Sequence, residues 1–420
     1  MENDKKLFLK NFVWNILGTG FNSFNSLFFL IIVTRINGQT EAGVFSIAFA
    51  VALTLYTIAY YSGRLMQVTD TKNIVSDKDY IGNRILTCVV TMAIAVVFAI
   101  CIKGYRDEKL FACILLCLYK VTEAFAEVLY GIMQKNELLY KSGQSLFAKS
   151  FIGILTFTVT DIITKNLIIS IISAIIVNVI IIICFDIIVS HKLIKSDDRY
   201  NFNHIIGILK TDFFVFANSF AGIYVLNAPK YSIDKYGNDD MQAMFGYIIM
   251  PATVIVLFAQ FFLMPFLNKL RMLYGDRKMK EFIRLSNMIK LAVFLFGIIV
   301  VVCGYLIGPE ILKIIYGVDD IPKYRLHLAV ILMAYICYGI SYVNLITLTT
   351  VRKTFIQFVI YLITMAIAFA GSNILVEHYL IKGAAASCVI TLGMQFVMYT
   401  VATKAILYKI CRENKNETYS

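Results

Sequence analysis

The chain has 420 residues, 59% of them hydrophobic and only 16% charged, with a mean hydropathy of +0.75. A soluble protein carries about 25% charged residues, so a cytosolic or disordered chain is excluded. The formal charge of +12 would point to nucleic acid in a soluble protein. Here the charges fall in short loops between apolar runs, where they set membrane orientation instead, and nucleic acid is not expected as a partner.

The N-terminal MENDKKLFLK leads directly into an apolar run with no small-residue cleavage site, and reads as a retained helix. Twelve runs of bilayer-spanning length follow. They lie at 12–34, 41–62, 81–102, 110–133, 146–164 and 167–189, then at 207–228, 241–266, 287–308, 326–350, 355–376 and 383–408. The runs are continuously apolar, which excludes a β-barrel. The expected class is therefore all-α, a polytopic membrane protein. With the N-terminus placed in the cytoplasm and charges at span edges counted with the adjoining segment, 27 Lys and Arg fall inside and 11 outside, leaving only Lys120 deep within a span. Both termini are expected to be cytoplasmic.

Polar residues inside the spans carry the functional expectations. The first span has Asn15, Thr19, Asn22 and Ser26 on one helical line, with Asn25 close by. The second ends YYSGRLMQVTD, where Arg64 can hold a phosphate through paired hydrogen bonds or serve as an ordinary cytoplasmic anchor. The fourth span reads LCLYKVTEAFAEVLYG. Lys120, Glu123 and Glu127 stand at i, i+3 and i+7, and Gln134 extends the stripe. Each charge at the bilayer centre costs about 2.5–3.5 kcal/mol, so the stripe must face protein or water. Two readings stay open: a polar cavity wall, or an internal Lys120–Glu123 pair with Glu127 held by a neighbouring helix. The seventh span brings Asp212, Asn218, Ser219 and Gly222. In NAPKYSID, Pro229 reads as a helix end and Lys230–Asp234 as an i, i+4 ion pair. The eighth span frames Gln260 between Pro251 and Pro265, each inviting a kink. The basic stretch 267–286 suits either an interfacial helix or a solvated loop. The tail from 411 onward is assigned no structure.

A shift of 200 residues aligns the two halves. KNFVWNILGTG (10–20) faces KTDFFVFANSF (210–220), and VTRINGQTEAGVFS (33–46) faces IDKYGNDDMQAMFG (233–246). The expected domains are two six-helix lobes, 1–200 and 201–410, with a cytoplasmic tail at 411–420. Six spans per lobe give both the same orientation, the arrangement of transporters built from parallel repeats. There is no P-loop, HExxH or Ser/His/Asp constellation, and the four histidines are scattered at span edges. An enzyme, a cofactor or a metal is not expected. The nine cysteines form no CxxC pair and fall mostly within apolar runs, as small buried hydrophobes.

Three stretches together resemble the Wzx-like polysaccharide biosynthesis and export family of the multidrug/oligosaccharidyl-lipid/polysaccharide (MOP) superfamily. They are SGRLMQVTDTKNIVSDKDYIGNRI (62–85), YKVTEAFAEVLYGIMQKNELLYKSG (119–143) and VLNAPKYSIDKYGNDDMQAMFGYIIMPA (225–252). The likeness extends over nearly the whole chain. It implies a MATE-like pair of lobes and a flippase for polyprenyl-pyrophosphate-linked oligosaccharide in the bacterial cytoplasmic membrane, working by alternating access. Arg64, Gln67, Lys120, Glu123 and Glu127 fall on matching positions. Asn15, Asn22, Asn218 and Gln260 would add hydrogen bonds to sugar, while Glu123 and Glu127 would orient Lys120 or take up H⁺ or Na⁺. The first span lacks the arginines related flippases often carry, so Lys120 and Arg64 would supply most of the cationic character. Membrane lipids and a glycan polymerase or export machinery are the expected partners. The alternatives are a multidrug exporter of organic cations, and a membrane glycan polymerase or acyltransferase.

Overall fold

The structure is a computed structural model and describes all residues except Met1, Ser62, 71–74, 195–199 and Ser420; side chains at 2–5, 8, 65 and 413–419 are also not described. Lys72, Lys195 and Arg199, expected among the orienting charges, lie outside the described residues, as do the side chains of Lys5 and Lys415. The described residues form helices and short connections, with no strand among them. Helices close their backbone hydrogen bonds within one segment, as a chain this apolar must do in hydrocarbon. The chain divides into two compact units, Met1–Ile223 and Tyr224–Ser420.

The first unit begins with α1 (Glu2–Ile36) and α2 (Gln39–Tyr60). The turn between them needs Gly38, whose φ of 98° disfavours a side chain. Next come α3 (Gly63–Thr69) and α4 (Asp77–Val97), the latter continued by a π turn at Phe98–Ile102. The Ser76 side chain caps α4 by accepting from the Asp79 N–H at 3.0 Å. Then follow α5 (Asp107–Lys135), α6 (Leu139–Thr164) and α7 (Leu167–Ile181), which runs through a second π turn, Ile182–Ile187, into α8 (Ile188–His191). α5 has Asp107 and Glu108 in its first turn and Lys135 in its last, matching the helix dipole. It is the hub of the unit and packs on α2, α3, α4 and α7. α1 instead packs mainly on α6, where Gly18 meets Gly143. A Cβ at Gly18 would fall 2.5 Å from the Gly143 carbonyl oxygen, so the two backbones touch directly.

α9 (Phe202–Thr211) and α10 (Phe213–Tyr236) form a bent pair, at 54°, and α10 passes through the unit boundary. The second unit continues with α11 (Asp239–Ile249), α12 (Ala252–Leu263) and α13 (Leu267–Gly275). It ends with α14 (Met279–Leu306), α15 (Gly308–Tyr316), α16 (Arg325–Thr350) and α17 (Thr354–Tyr419). α17 is two helices joined at Leu380, where φ is 49°. Its helical path covers the tail that the sequence left unassigned.

Nine helices among the described residues are long and apolar enough to cross a membrane, and the α9–α10 pair makes a tenth. Splitting α17 at Leu380 adds one more. α5 has the length but carries too many charges to score as apolar. That gives the twelve spans of the sequence reading, and the chain is a multi-pass, all-α membrane protein.

The repeat is visible in the breaks and the packing. α1 ends at Ile36 and α10 at Tyr236; α2 begins at Gln39 and α11 at Asp239. In unit 1, α2 packs on α5 and α4, α4 on α5, and α3 on both α4 and α5. In unit 2, α12 packs on α16 and α14, α14 on α16, and α13 on both α14 and α16.

Several local expectations need correction. The fifth span starts at Leu139, seven residues earlier than the apolar run, because the polar residues 139–145 pack against α1 and α5. Lys149 is therefore a buried helical residue, 4% exposed, and not part of a cytoplasmic segment. Pro229 lies inside α10 rather than at its end, and Lys230 forms no ion pair with Asp234. Membrane helices tolerate such prolines because neighbours satisfy the freed carbonyl. The stretch 267–286 is divided by a turn at 276–278, so only α13 is a short helix of the expected kind. It turns Leu270 and Leu273 inward and leaves Lys269 and Arg271 exposed.

Candidate functional site

The charged stripe of α5 faces protein. The Lys120 ammonium lies 2.7 Å from the Glu123 carboxylate, and the residue is 6% exposed. Its charge also lies over the rings of Phe49 (4.9 Å) and Tyr119 (5.4 Å). One turn on, Glu127 accepts from Arg64 of α3 at 3.3 Å, and Arg64 Nε donates to Gln134 Oε1 at 2.9 Å. A third pair joins α6 to the π turn after α7, with Lys149 Nζ 2.6 Å from Asp186 Oδ2. The π turn suits this role, since one extra residue in the ladder re-aims a side chain.

Tyr130 ties two of these pairs together. Its ring lies between the Lys149 ammonium at 4.8 Å and the Arg64 guanidinium at 5.7 Å, and its hydroxyl is 3.0 Å from Ser145 Oγ. Asparagines of α1 close the opposite side. Asn25 donates to Ser150 Oγ at 3.3 Å and to Asn22 Oδ1 at 3.2 Å, and reaches the Tyr119 hydroxyl at 3.5 Å. Between α1, α2, α5 and α6 remains a pocket of about 20 Å³, room for roughly one water molecule. Asn22, Tyr56, Glu123, Glu127, Lys149 and Ser150 line it.

The geometry matches the paired reading of the stripe, and the pocket beside it has room for about one water. Lys120 and Glu123 pair internally and Glu127 is held by a neighbouring helix, yet the two carboxylates also face a polar pocket. The cluster holds three cations and three carboxylates, each engaged. In low dielectric each pairing offsets much of the cost of burying its two charges, several kcal/mol per ion.

Of the residues singled out in the sequence, Lys120, Arg64, Glu123, Glu127, Gln134 and Asn22 come together. Asn15 lies two turns from Asn22, where α1 crosses Gly143, and does not line the pocket. Gln67 is fully buried against Gly131 of α5, and among the described residues its amide has no hydrogen-bond partner. Asn218 is on α10, with its Oδ1 buried and unpartnered among the described residues. Gln260 is on α12 of the second unit, partly exposed.

The sequence reading missed Lys149, Asp186 and the tyrosines. Asp186 is a lone acid near the edge of the sixth span, and its partner Lys149 is 37 residues away in sequence. The sequence reading also missed Arg84, which is 2% exposed, donates to the Ala59 carbonyl and lies 5.1 Å over the Tyr60 ring. Thr87 donates to the same carbonyl at 2.8 Å. Together they hold the end of α2 from which α3 presents Arg64.

No family model matches the chain. Among solved structures, an inward-facing multidrug resistance MATE family transporter of the MOP superfamily superposes with a TM-score of 0.72 at 11% identity, covering 95% of this chain and 99% of the other. The outward-facing form of such a transporter gives 0.64 at 13% identity, with 97% of each chain covered. The fold is that of the MATE transporters. The bent form of the Vibrio cholerae MATE transporter VcmN also aligns, at a TM-score of 0.60 and 13% identity, over 96% of this chain and 99% of its own. Among curated proteins, the Staphylococcus aureus capsular polysaccharide biosynthesis protein CapF is 24% identical over 409 residues, 95% of this chain and all of CapF.

Proposed function

We propose that this MATE-fold protein is a transporter that flips polyprenyl-pyrophosphate-linked oligosaccharide from the cytoplasmic to the outer leaflet of a bacterial plasma membrane, supplying surface polysaccharide synthesis. The observation that carries the reading is the end-to-end similarity to a capsular polysaccharide biosynthesis protein. The MATE fold supports transport over catalysis, and the α5 cluster supplies fitting chemistry. Asn22, Asn25, Ser150 and Tyr56 offer the hydrogen bonds a sugar needs, and Lys120, Arg64 and Lys149 offer charge to a pyrophosphate.

The neutral cluster constrains how binding would occur. A pyrophosphate must take Lys120 or Arg64 away from Glu123 or Glu127, and the released carboxylates then need H⁺ or Na⁺. A pocket with room for one water must also widen before a headgroup enters, a shift of population toward an open form. Both termini are cytoplasmic in this reading, as the distribution of basic residues implies. A glycan polymerase or export machinery would receive the product.

The test is deletion of the gene followed by leaflet-resolved analysis of lipid-linked intermediates. Accumulation on the cytoplasmic leaflet is the expected result; accumulation on the outer leaflet would identify a polymerase instead. One observation favours a second reading: the structural neighbours named above are multidrug transporters. Restored resistance to organic cations in a drug-sensitive host, with normal lipid-linked intermediates in the deletion, would select that exporter.

A further inference from the structure

A second cavity, of about 450 Å³, lies between α4, α5 and the α7–α8 segment. This volume is within the range of small-ligand sites. Phe125 and Leu129 of α5 form its inner wall, and Ile81, Ile187 and Ile194 its sides. Leu129 is 3% exposed, and Ser190 beside it is also buried, its hydroxyl turned to the Leu129 carbonyl at 3.4 Å. The interior therefore presents hydrocarbon. Around it the helices show lipid-facing surface, with Val89 62% exposed and Ile183 55%.

The mouth has different chemistry. Lys78, His191 and Tyr200 stand there, at the first turn of α4, the last residue of α8 and the segment before α9. The acids flanking Lys78 are engaged elsewhere. Asp77 pairs with Lys135 at 3.2 Å, and Asp79 accepts from the Asn201 N–H at 2.7 Å and meets His204 at 3.0 Å. Lys78 itself has no ion pair among the described residues. A cation with no ion pair among the described residues, an imidazole and a phenol thus stand over an apolar slot at a helix end, the level at which basic side chains meet lipid headgroups.

We propose that this crevice binds one anionic phospholipid, an acyl chain lying against Phe125, Leu129 and Ile187 and the phosphate against Lys78, His191 and the Tyr200 hydroxyl. The π turn links this site to the ionic cluster, because adjacent residues serve both: Asp186 turns in to Lys149 while Ile187 walls the crevice. The inference stands independently of the cargo assigned above.

Native mass spectrometry of the full chain tests it, with protein released from nanodiscs of equimolar phosphatidylglycerol and phosphatidylcholine of identical acyl chains. The expected result is one phosphatidylglycerol retained in several-fold excess over phosphatidylcholine. Lys78→Gln should bring the two to parity, and Ile187→Trp, which fills the slot from its lipid side, should lower retention of both. Phosphatidylglycerol should also raise the thermal midpoint of the wild type but not of Lys78→Gln, which checks that the variants are folded. Equal retention of both lipids by the wild type would overturn the proposal, as would a preference that survives Lys78→Gln. Unchanged retention in Ile187→Trp would reduce the effect to attraction at the surface and overturn the crevice. Stronger retention of a polyprenyl phosphate than of phosphatidylglycerol would replace the phospholipid as occupant.

Discussion

Lys120 and Glu123 can be separated experimentally into a structural and a transport role. Lys120→Ala leaves the Glu123 carboxylate buried and uncompensated, and breaking such a pair costs about 3–5 kcal/mol. The double variant Lys120→Met/Glu123→Leu removes both charges at similar volume, and such replacements are often neutral or stabilising. Thermal unfolding in detergent should therefore show a large drop for the single variant and near-native stability for the double. Export of surface polysaccharide should be lost in both. Normal export from the stable double variant would remove Lys120 from the transport mechanism. The stripe was legible because three ionisable residues on one helical face stand out against apolar neighbours. Lys149 and Asp186 were not, because each is a lone charge near a span edge and its partner is 37 residues away in sequence. Only the packing of α6 against the π turn brings them together.

Among the elements, the crossing of α1 and α6 rests on two glycines that leave no room for a side chain. A Cβ at Gly143 would lie 2.5 Å from the Trp14 carbonyl oxygen, and backbone cannot step aside as a flexible side chain would. Gly143→Val should separate the helices and lower the thermal midpoint markedly. Gly153→Ala, with nothing within 4 Å of the new methyl, should leave it unchanged or slightly raised. Equal midpoints for the two variants would refute the close crossing. Sequence found the spans through apolar length, and the 200-residue shift paired 33–46 with 233–246, where the matching helix breaks fall. It placed the start of α6 too late because hydropathy reports lipid contact. Ser142 and Ser145 are polar yet buried by α6's own neighbours. Pro229 misled for the complementary reason: its effect depends on what surrounds the freed carbonyl.

Across the whole chain, the two units share one packing scheme but differ in charge. α5 carries Lys120, Glu123 and Glu127, whereas α16, its counterpart, has no Asp, Glu or Lys along its length and no Arg after Arg325. Where α14 and α16 meet, hydroxyls of Ser286 and Thr347 lie 2.9 Å apart. The ion pairs Lys313–Asp319 and Lys323–Asp320 are instead exposed near the end of α15. Repeat length was readable from the sequence, because the spacing of the breaks is the same in both halves. This difference in charge was readable only in part, since it depends on which polar residues the packing buries. Topology reporters test the orientation directly. A phosphatase fused after Gly38 should be active and one fused after Asn136 inactive, the pattern expected if both termini are cytoplasmic. The opposite pattern would invert the proposed direction of export.

The bare glycine crossing also acts as a fulcrum for the pocket beyond it. Asn25 lies seven residues from Gly18, a lever arm of about 10 Å. Rocking α1 by about 10° on that contact would swing Asn25 by about 2 Å, enough to part it from Ser150 without unpacking the crossing. A disulfide tying Asn22→Cys to Ser150→Cys should therefore arrest export until it is reduced. Unimpeded export with that tether in place would show that the headgroup enters by another door.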